Sequence, residues 1–262
     1  MFDDQPTPLD LRLRLFGFPV RVSPWFWLVM ALLGDFTFRD PVLGPAGLVV
    51  WVACGFVSIL VHELGHALAG RWFGTGSQVV LLAFGGVTVY NVPPRSGWRR
   101  MATALAGPAA GFLLLGAVVG SESAVGWAAA HPVLVRVYLY LVWMNVFWNL
   151  LNLLPIWPLD GGRVCREVFY ILGLRRPDPA AFAVSLVASG ALAAVGVLVF
   201  LNQAPPWLLD HMPYIPGPFM TLWFILFAVQ SYLLLQQANR QAAWGSRYYE
   251  DVDDDTPPWR KR

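Results

Sequence analysis

The sequence predicts an all-α polytopic membrane protein of about six transmembrane helices, with a small membrane-associated β-hairpin or sheet. Apolar residues make up 57% of the 262 residues, charged residues only 13%, and the mean hydropathy is +0.54. A soluble domain carries roughly a quarter charged residues. Several long apolar stretches also interrupt the polar ones, and the basic residues are segregated along the chain. Together these observations indicate a chain that crosses a lipid bilayer several times.

Six apolar stretches are candidate membrane spans, because each except the first supplies about 20 residues of helix. They are residues 24–38, 45–72, 99–120, 133–154, 179–201 and 217–237. Asp35 shortens the first of them. Segment 77–90 differs, since it is rich in β-branched residues, too short to span as a helix and interrupted by Gly85 and Gly86. It therefore predicts a hairpin or a re-entrant pair of strands.

The domain organisation follows from the polarity of the chain. Residues 1–240 are expected to form a single transmembrane domain, and residues 241–262 a polar, disordered cytoplasmic tail rich in acidic residues. The two cysteines, Cys54 and Cys165, have no CxxC partner, which excludes a disulfide framework or a cysteine-rich zinc site.

The distribution of basic residues predicts the orientation. Sixteen of the 18 basic residues fall in the two termini and in the loops on the same side as the termini, and only Arg39 and Arg136 fall on the other side. The positive-inside rule then places both termini in the cytoplasm and the chain in the cytoplasmic membrane. The lipid bilayer is thus an expected partner, whereas nothing in the sequence indicates nucleic acid.

The second candidate span contains an HExxH motif formed by His62, Glu63 and His66. Residues four apart on a helix point to nearly the same side, so both imidazoles can be directed at one metal ion with Glu63 beside them. Two neutral nitrogens and a carboxylate able to take a proton from water are typical of a zinc peptidase. Two satisfied buried histidines are the structural alternative, but ionisable groups inside a membrane are costly and usually mark function.

A catalytic zinc ion requires a third protein ligand. Asp160 is the candidate, since it lies between Pro158 and the Gly161-Gly162 pair just after the fourth span. The same residue types also suit a turn or the N-cap of a following helix. Local sequence alone leaves both interpretations of Asp160 open.

Three motifs together resemble the site-2 protease family of intramembrane zinc metalloproteases, in its compact bacterial branch without a PDZ domain. They are His62-Glu63-Leu64-Gly65-His66, Asn152-Leu153-Leu154-Pro155 and Leu159-Asp160-Gly161-Gly162. The resemblance covers roughly residues 11–173. It implies that Asp160 is the third zinc ligand, that Glu63 is the catalytic base, and that the activity is regulated intramembrane proteolysis of membrane-protein substrates.

The substrate contacts are expected at four further positions. Asn152, Asn149, Gly85 and Gly86 are the candidates, the two glycines because the free edge of the 77–90 hairpin can pair with an unwound substrate segment. The alternatives are that the asparagines make interhelical hydrogen bonds and that the strands only pack against the helices. Two other functions remain open, a membrane metal transporter and a catalytically silent homologue that binds client proteins. No residue pattern singles out a regulatory partner.

Overall fold

The computed structural model of the chain describes residues 7–40, 42–83, 85–203 and 218–253. Contacts divide the chain into two compact units, residues 1–153 and 154–262. The first unit contains strands β1 (Leu11–Leu15) and β2 (Phe18–Val22), helices α1 (Pro24–Leu33) and α2 (Ala46–Trp72), strands β3 (Ser77–Leu82) and β4 (Gly85–Tyr90), and helices α3 (Gly97–Val125) and α4 (Pro132–Asn152). The second unit contains α5 (Asp160–Ile171), α6 (Pro177–Phe200) and α7 (Pro218–Asp253).

The predicted fold class is confirmed. Among the described residues, five helices are long and apolar enough to cross a membrane: α2, α3, α4, α6 and the 220–241 part of α7. They match five of the six expected spans. The small sheet is also present, as four strands.

The span expected over residues 24–38 is not one continuous helix. Helix α1 has only ten residues and ends at Gly34, and a 3₁₀ helix follows over Asp35–Arg39. Ten helical residues rise about 15 Å, roughly half the thickness of the hydrocarbon core. Among the described residues, five helices are therefore long enough to span by themselves, and α1 with the 3₁₀ helix occupies the sixth apolar stretch.

The four strands form one sheet in the order β1-β2-β3-β4. The predicted 77–90 hairpin is the antiparallel β3–β4 pair, and β1–β2 is a second antiparallel hairpin. Between the hairpins, β2 and β3 pair in parallel, with Val20 opposite Val79. Because β2 precedes α1 and β3 follows α2, the chain leaves the sheet through α1 and returns to it through α2.

One face of the sheet packs against α2. Val22, Val79 and Leu81 have no measurable exposure, and they belong to the same hydrophobic cluster as Ile59 and Leu64 of α2. Burial of these side chains stabilises the contact. The contact brings β4 alongside the turn of α2 that carries the HExxH motif.

Helices α2 and α3 approach closely at Gly65, which lies within the same motif. A Cβ atom at residue 65 would lie 2.4 Å from the carbonyl oxygen of Ala106, so a side chain there would collide with the backbone of α3. Small residues permit such close helix packing in membranes. Helix α3 thus forms a wall directly against the motif.

The C-terminal boundary of the domain stays a prediction. Helix α7 runs on to Asp253, past the expected start of the tail at residue 241, and residues 254–262 lie outside the described residues.

Candidate metal centre

Helix α2 brings the three residues of the HExxH motif together. His62, Glu63 and His66 are 2%, 4% and 3% exposed, although they are ionisable. One potential ligand atom from each lies within 4.8 Å of those from the other two. The four-residue spacing of the histidines on a helix produces this cluster, as the sequence predicts.

Both imidazoles are oriented through their Nδ1 atoms. Nδ1 of His62 lies 2.9 Å from Oδ1 of Asn149 on α4, and Nδ1 of His66 lies 2.7 Å from the backbone carbonyl oxygen of Thr103 on α3. An amide or backbone carbonyl oxygen only accepts hydrogen bonds, so each Nδ1 carries the proton. In the tautomer with the proton on Nδ1, each ring has its lone pair on Nε2.

The two Nε2 atoms face each other at 3.2 Å. In the neutral rings these atoms present lone pairs to one another, an arrangement that a shared cation stabilises. A zinc ion about 2.0–2.1 Å from each nitrogen, with tetrahedral angles, separates two imidazole nitrogens by about 3.3 Å. The His62–Glu63–His66 group therefore fits a zinc site.

The carboxylate of Glu63 is held beside the histidines by strand β4. The hydroxyl of Thr88 lies 2.8 Å from Oε2 of Glu63 and 3.0 Å from its backbone carbonyl oxygen. A Cβ atom at Gly86 would lie 2.5 Å from Oε1 of Glu63, so only glycine leaves room for the carboxylate in this position. The predicted contact of Gly86 with a substrate is untested, but its contact with Glu63 is direct.

Two glycines of α3 fit against the site. A Cβ atom at Gly107 would lie 2.2 Å from Nε2 of His66, and one at Gly111 would lie 2.2 Å from Nδ2 of Asn149. A larger residue at position 107 would displace the His66 imidazole, and one at position 111 would displace the Asn149 amide that orients His62.

A chain of buried polar groups continues behind His62. Nδ2 of Asn149 donates to the backbone carbonyl oxygen of Asn145, and Nδ2 of Asn145 donates to Oγ of Ser58 at 2.9 Å. Since the Asn145 carbonyl oxygen only accepts, it fixes which end of the Asn149 amide is the NH₂ group. Oδ1 of Asn149 must then face His62. This contact is an interhelical hydrogen bond, the role expected from the sequence as the alternative to substrate binding for Asn149.

The remaining predicted site residues lie in less specific surroundings. Nδ2 of Asn152 donates to the carbonyl oxygen of Trp148 within α4, and a Cβ atom at Gly85 would lie 2.5 Å from the Trp148 ring.

Asp160 belongs to the second unit, where it is 5% exposed and occupies the first position of α5 after the N-cap residue Leu159. It is thus not the N-cap, and its role as third ligand stays a prediction.

Sequence reasoning missed the residues that orient the motif. Thr88, Asn145, Ser58 and the carbonyl group of Thr103 belong to no motif, and only their polarity within or beside apolar segments marks them. Intramembrane polar residues commonly hydrogen-bond between helices, so this signal identifies candidates but not their partners.

The fold and the buried histidine–glutamate group define a polytopic membrane protein with a zinc site. Residues 115–197 match the model of peptidase family M50. A putative zinc metalloprotease of Synechocystis is 31% identical over 81% of this chain and 56% of its own length. The putative zinc metalloprotease Rip3 of Mycobacterium tuberculosis is 32% identical over 73% of this chain and 50% of its own length. Stage IV sporulation protein FB of Bacillus subtilis is 32% identical over 62% of this chain and 49% of its own length.

The fold also resembles a solved structure. The site-2 protease from Methanocaldococcus jannaschii superposes with a TM-score of 0.51 and 22% identity, over 87% of this chain and 94% of that one. The sequence matches place the chain in peptidase family M50, the site-2 protease family of zinc metalloproteases. The chain spans about half the length of the curated relatives that it matches.

Proposed function

We propose that the chain is an intramembrane zinc metalloprotease that hydrolyses peptide bonds in or near the transmembrane segments of membrane-protein substrates. The observation that carries this proposal is the pair of Nε2 atoms of His62 and His66, 3.2 Å apart and beside the carboxylate of Glu63. All three residues are buried in a 27-residue apolar helix. Residues 1–240 act as one metalloprotease domain.

His62, His66 and Asp160 hold one zinc ion. When bound there, zinc supplies Lewis acidity toward water and toward a peptide carbonyl group. The local geometry of the histidines supports two of these ligands, because each ring is held through its Nδ1 atom and the two Nε2 atoms face each other at 3.2 Å. The assignment of Asp160 is supported by its burial and by its place in the Leu159-Asp160-Gly161-Gly162 motif.

Glu63 acts as general base and then as general acid. Its carboxylate takes a proton from the attacking water and delivers it to the nitrogen of the leaving amine. The hydroxyl of Thr88 keeps the carboxylate close to the two histidines, and Gly86 leaves the space that it occupies. The base is therefore held in place before a substrate arrives.

Strand β4 receives the substrate. A peptide bond within a helix is shielded by the hydrogen bonds of the helix, so the substrate segment must unwind before it is cut. Among the described strands β4 pairs only with β3, so the backbone groups of its outer edge are available to an extended segment. Such a segment would run past Gly85 and Gly86 toward Glu63. Asn152 and Asn149 are further candidates for contacts with the substrate.

The cytoplasmic membrane and cytoplasmic termini follow from the charge distribution. The parallel β2–β3 pair supports this orientation, because the basic segment before α1 and the one after α2 belong to the same sheet. The motif lies five to nine residues before Arg71, on the order of 10 Å from that end of α2, so water reaches it from the cytoplasm. On the other side, the Arg136 guanidinium lies 2.6 Å from the Asp40 carboxylate, so it is a paired cation.

Cleavage of a model transmembrane substrate in detergent tests the proposed function. Wild type is expected to cut the substrate, whereas Glu63→Gln, which keeps the shape of the side chain but removes the base, is expected to lose at least 10³-fold in rate, the order of magnitude for removal of an essential proton-transfer group. The matched control is Glu122→Gln on α3, where the carboxylate accepts a hydrogen bond from the backbone N–H of Ala128. Equal rates for wild type and Glu63→Gln would overturn the proposal and favour the transporter or the client-binding function.

A further inference from the structure

The segment that leads into Asp160 is tied to helix α6 by its backbone. Within residues 154–159, the N–H group of Ile156 donates to the carbonyl oxygen of Leu154 at 2.7 Å, and that of Leu159 donates to Ile156 at 2.8 Å. Trp157 lies between them, and its N–H group instead donates to Oγ of Ser185 on α6 at 2.7 Å. A side-chain hydroxyl thus satisfies a backbone donor three residues before Asp160.

Ser185 is itself held from helix α7. Its Oγ lies 2.6 Å from Oγ of Ser231, and neither residue has any exposed surface. A serine in an apolar helix can satisfy its hydroxyl within its own helix, as Ser189 does by donating to the carbonyl oxygen of Ser185 at 2.6 Å. Ser185 instead joins α6, α7 and the segment before Asp160 through one hydroxyl group.

Other contacts of the same segment leave it little freedom. The Trp157 ring packs edge-to-face on Phe182 of α6 at 5.8 Å, and the Arg166 guanidinium lies over it at 6.0 Å. On the other side of Asp160, a Cβ atom at Gly162 would lie 2.5 Å from the carbonyl oxygen of Ile156. The first turn of α5 is therefore packed directly on the segment. Asp160 is flanked by Trp157, which is hydrogen-bonded to α6, and by Gly162, which admits no side chain.

We propose that Ser185 and Ser231 are positioning residues for the carboxylate of Asp160. The inference rests on the proposed function, in which Asp160 is the third zinc ligand. Helices α6 and α7 then do more than cross the membrane, since they fix the backbone from which the ligand projects. A ligand with a fixed backbone loses less conformational freedom when it binds metal, so removal of the Ser185 hydroxyl weakens zinc binding without removing any ligand.

The test compares zinc dissociation constants of the full chain in detergent, measured by competition with a chromophoric chelator. Ser185→Ala is expected to raise the constant by about tenfold, at the lower end of the range for groups that orient metal ligands. Ser231→Ala leaves the Trp157–Ser185 bond in place, and we expect a smaller rise of about threefold. The matched control is Ser189→Ala, which should bind zinc as wild type does. It removes an equally buried hydroxyl of α6 whose hydrogen bonds, among the described residues, stay within that helix.

A second readout separates positioning from general loss of structure. The absorption spectrum of the Co²⁺-substituted protein reports the ligand geometry, and it should change in Ser185→Ala but not in Ser189→Ala. Unchanged zinc affinity in Ser185→Ala, or an equal loss in Ser189→Ala, would overturn the inference. If Ser185→Ala does not fold, the zinc dissociation constants of Ser231→Ala and Ser189→Ala are compared instead. Equal constants in these two variants would overturn the inference.

Asp160→Asn distinguishes this inference from the proposed function. If Asp160→Asn keeps the wild-type zinc affinity and Co²⁺ spectrum, the assignment of the third ligand fails, and the positioning role fails with it. If Asp160→Asn loses zinc while both serine variants bind it normally, only the positioning inference fails.

Discussion

Nδ1 of His62 on α2 lies 2.9 Å from Oδ1 of Asn149 on α4. The contact joins residues 87 positions apart and fixes the tautomer in which Nδ1 of His62 carries the proton and Nε2 carries the lone pair. Asn149 thereby orients the imidazole of His62, and the backbone carbonyl of Asn145 in turn fixes the Asn149 amide.

The hydrogen bond between His62 and Asn149 should be required for tight zinc binding. We expect Asn149→Ala to weaken zinc binding by about 10–100-fold, because His62 loses the acceptor that fixes its tautomer and ring orientation. Chelator competition measures the change. Asn149→Asp keeps an acceptor oxygen and should retain most of the affinity. Equal affinity of wild type and Asn149→Ala would show that the contact does not orient the ligand.

Asn152 should act on the substrate rather than on the metal. Its amide donates to the backbone of Trp148 within α4. We therefore expect Asn152→Ala to bind zinc as wild type does and to lower kcat/KM by about tenfold, the effect of one lost hydrogen bond to the substrate. Loss of zinc in this variant would contradict the substrate-binding role.

The Thr88 hydroxyl should be important for catalysis but not for metal binding. Thr88→Val keeps the size of the side chain and removes the hydrogen bond to the Glu63 carboxylate, 2.8 Å away. A hydrogen bond to a charged group contributes about 1.5–3 kcal/mol, so kcat should fall by about tenfold or more. Zinc content should stay at the wild-type level, and Thr88→Ser should restore most of kcat. A wild-type kcat in Thr88→Val would show that the hydrogen bond from Thr88 to Glu63 does not contribute to catalysis.

Close packing of α3 makes residue 107 sensitive to size. A Cβ atom at Gly107 would lie 2.2 Å from Nε2 of His66, so Gly107→Ala must displace the ligand atom and should lower zinc affinity by at least the roughly 10–100-fold expected when a metal ligand is misoriented. Gly116→Ala is the matched control on the same helix, because a Cβ atom there meets nothing within 4 Å. Similar zinc affinities of the two variants would contradict the packing explanation.

The sequence predicts the helices and the HExxH motif because their signals are local. Hydropathy over about 20 residues marks a span, and a four-residue spacing places His62 and His66 on one side of a helix. The β1–β2 hairpin also has a local signal, the alternation of leucine and arginine over residues 11–15 followed by Phe16-Gly17. The β1–β2 hairpin is absent from the predicted elements, because the same arginines are assigned to a basic segment that determines the orientation of the chain in the membrane.

The sequence does not predict the contacts that complete the site. The parallel pairing of Val20 with Val79 and the contact between His62 and Asn149 join distant segments. Such contacts depend on how helices and strands pack in three dimensions, and no spacing along the chain specifies them. The end of α1 at Gly34, by contrast, lies directly before Asp35, the residue that already shortens this stretch in the sequence.

The zinc content of the purified chain tests the central claim most directly. We expect about one zinc ion per chain in wild type and in Glu63→Gln, and close to none in His66→Ala. His131→Ala is the matched control, since His131 is exposed at the start of α4 and contacts the backbone N–H of Val133. Zinc retained in His66→Ala, or absent from wild type after loading with excess zinc, would show that the buried histidine pair is not a metal site.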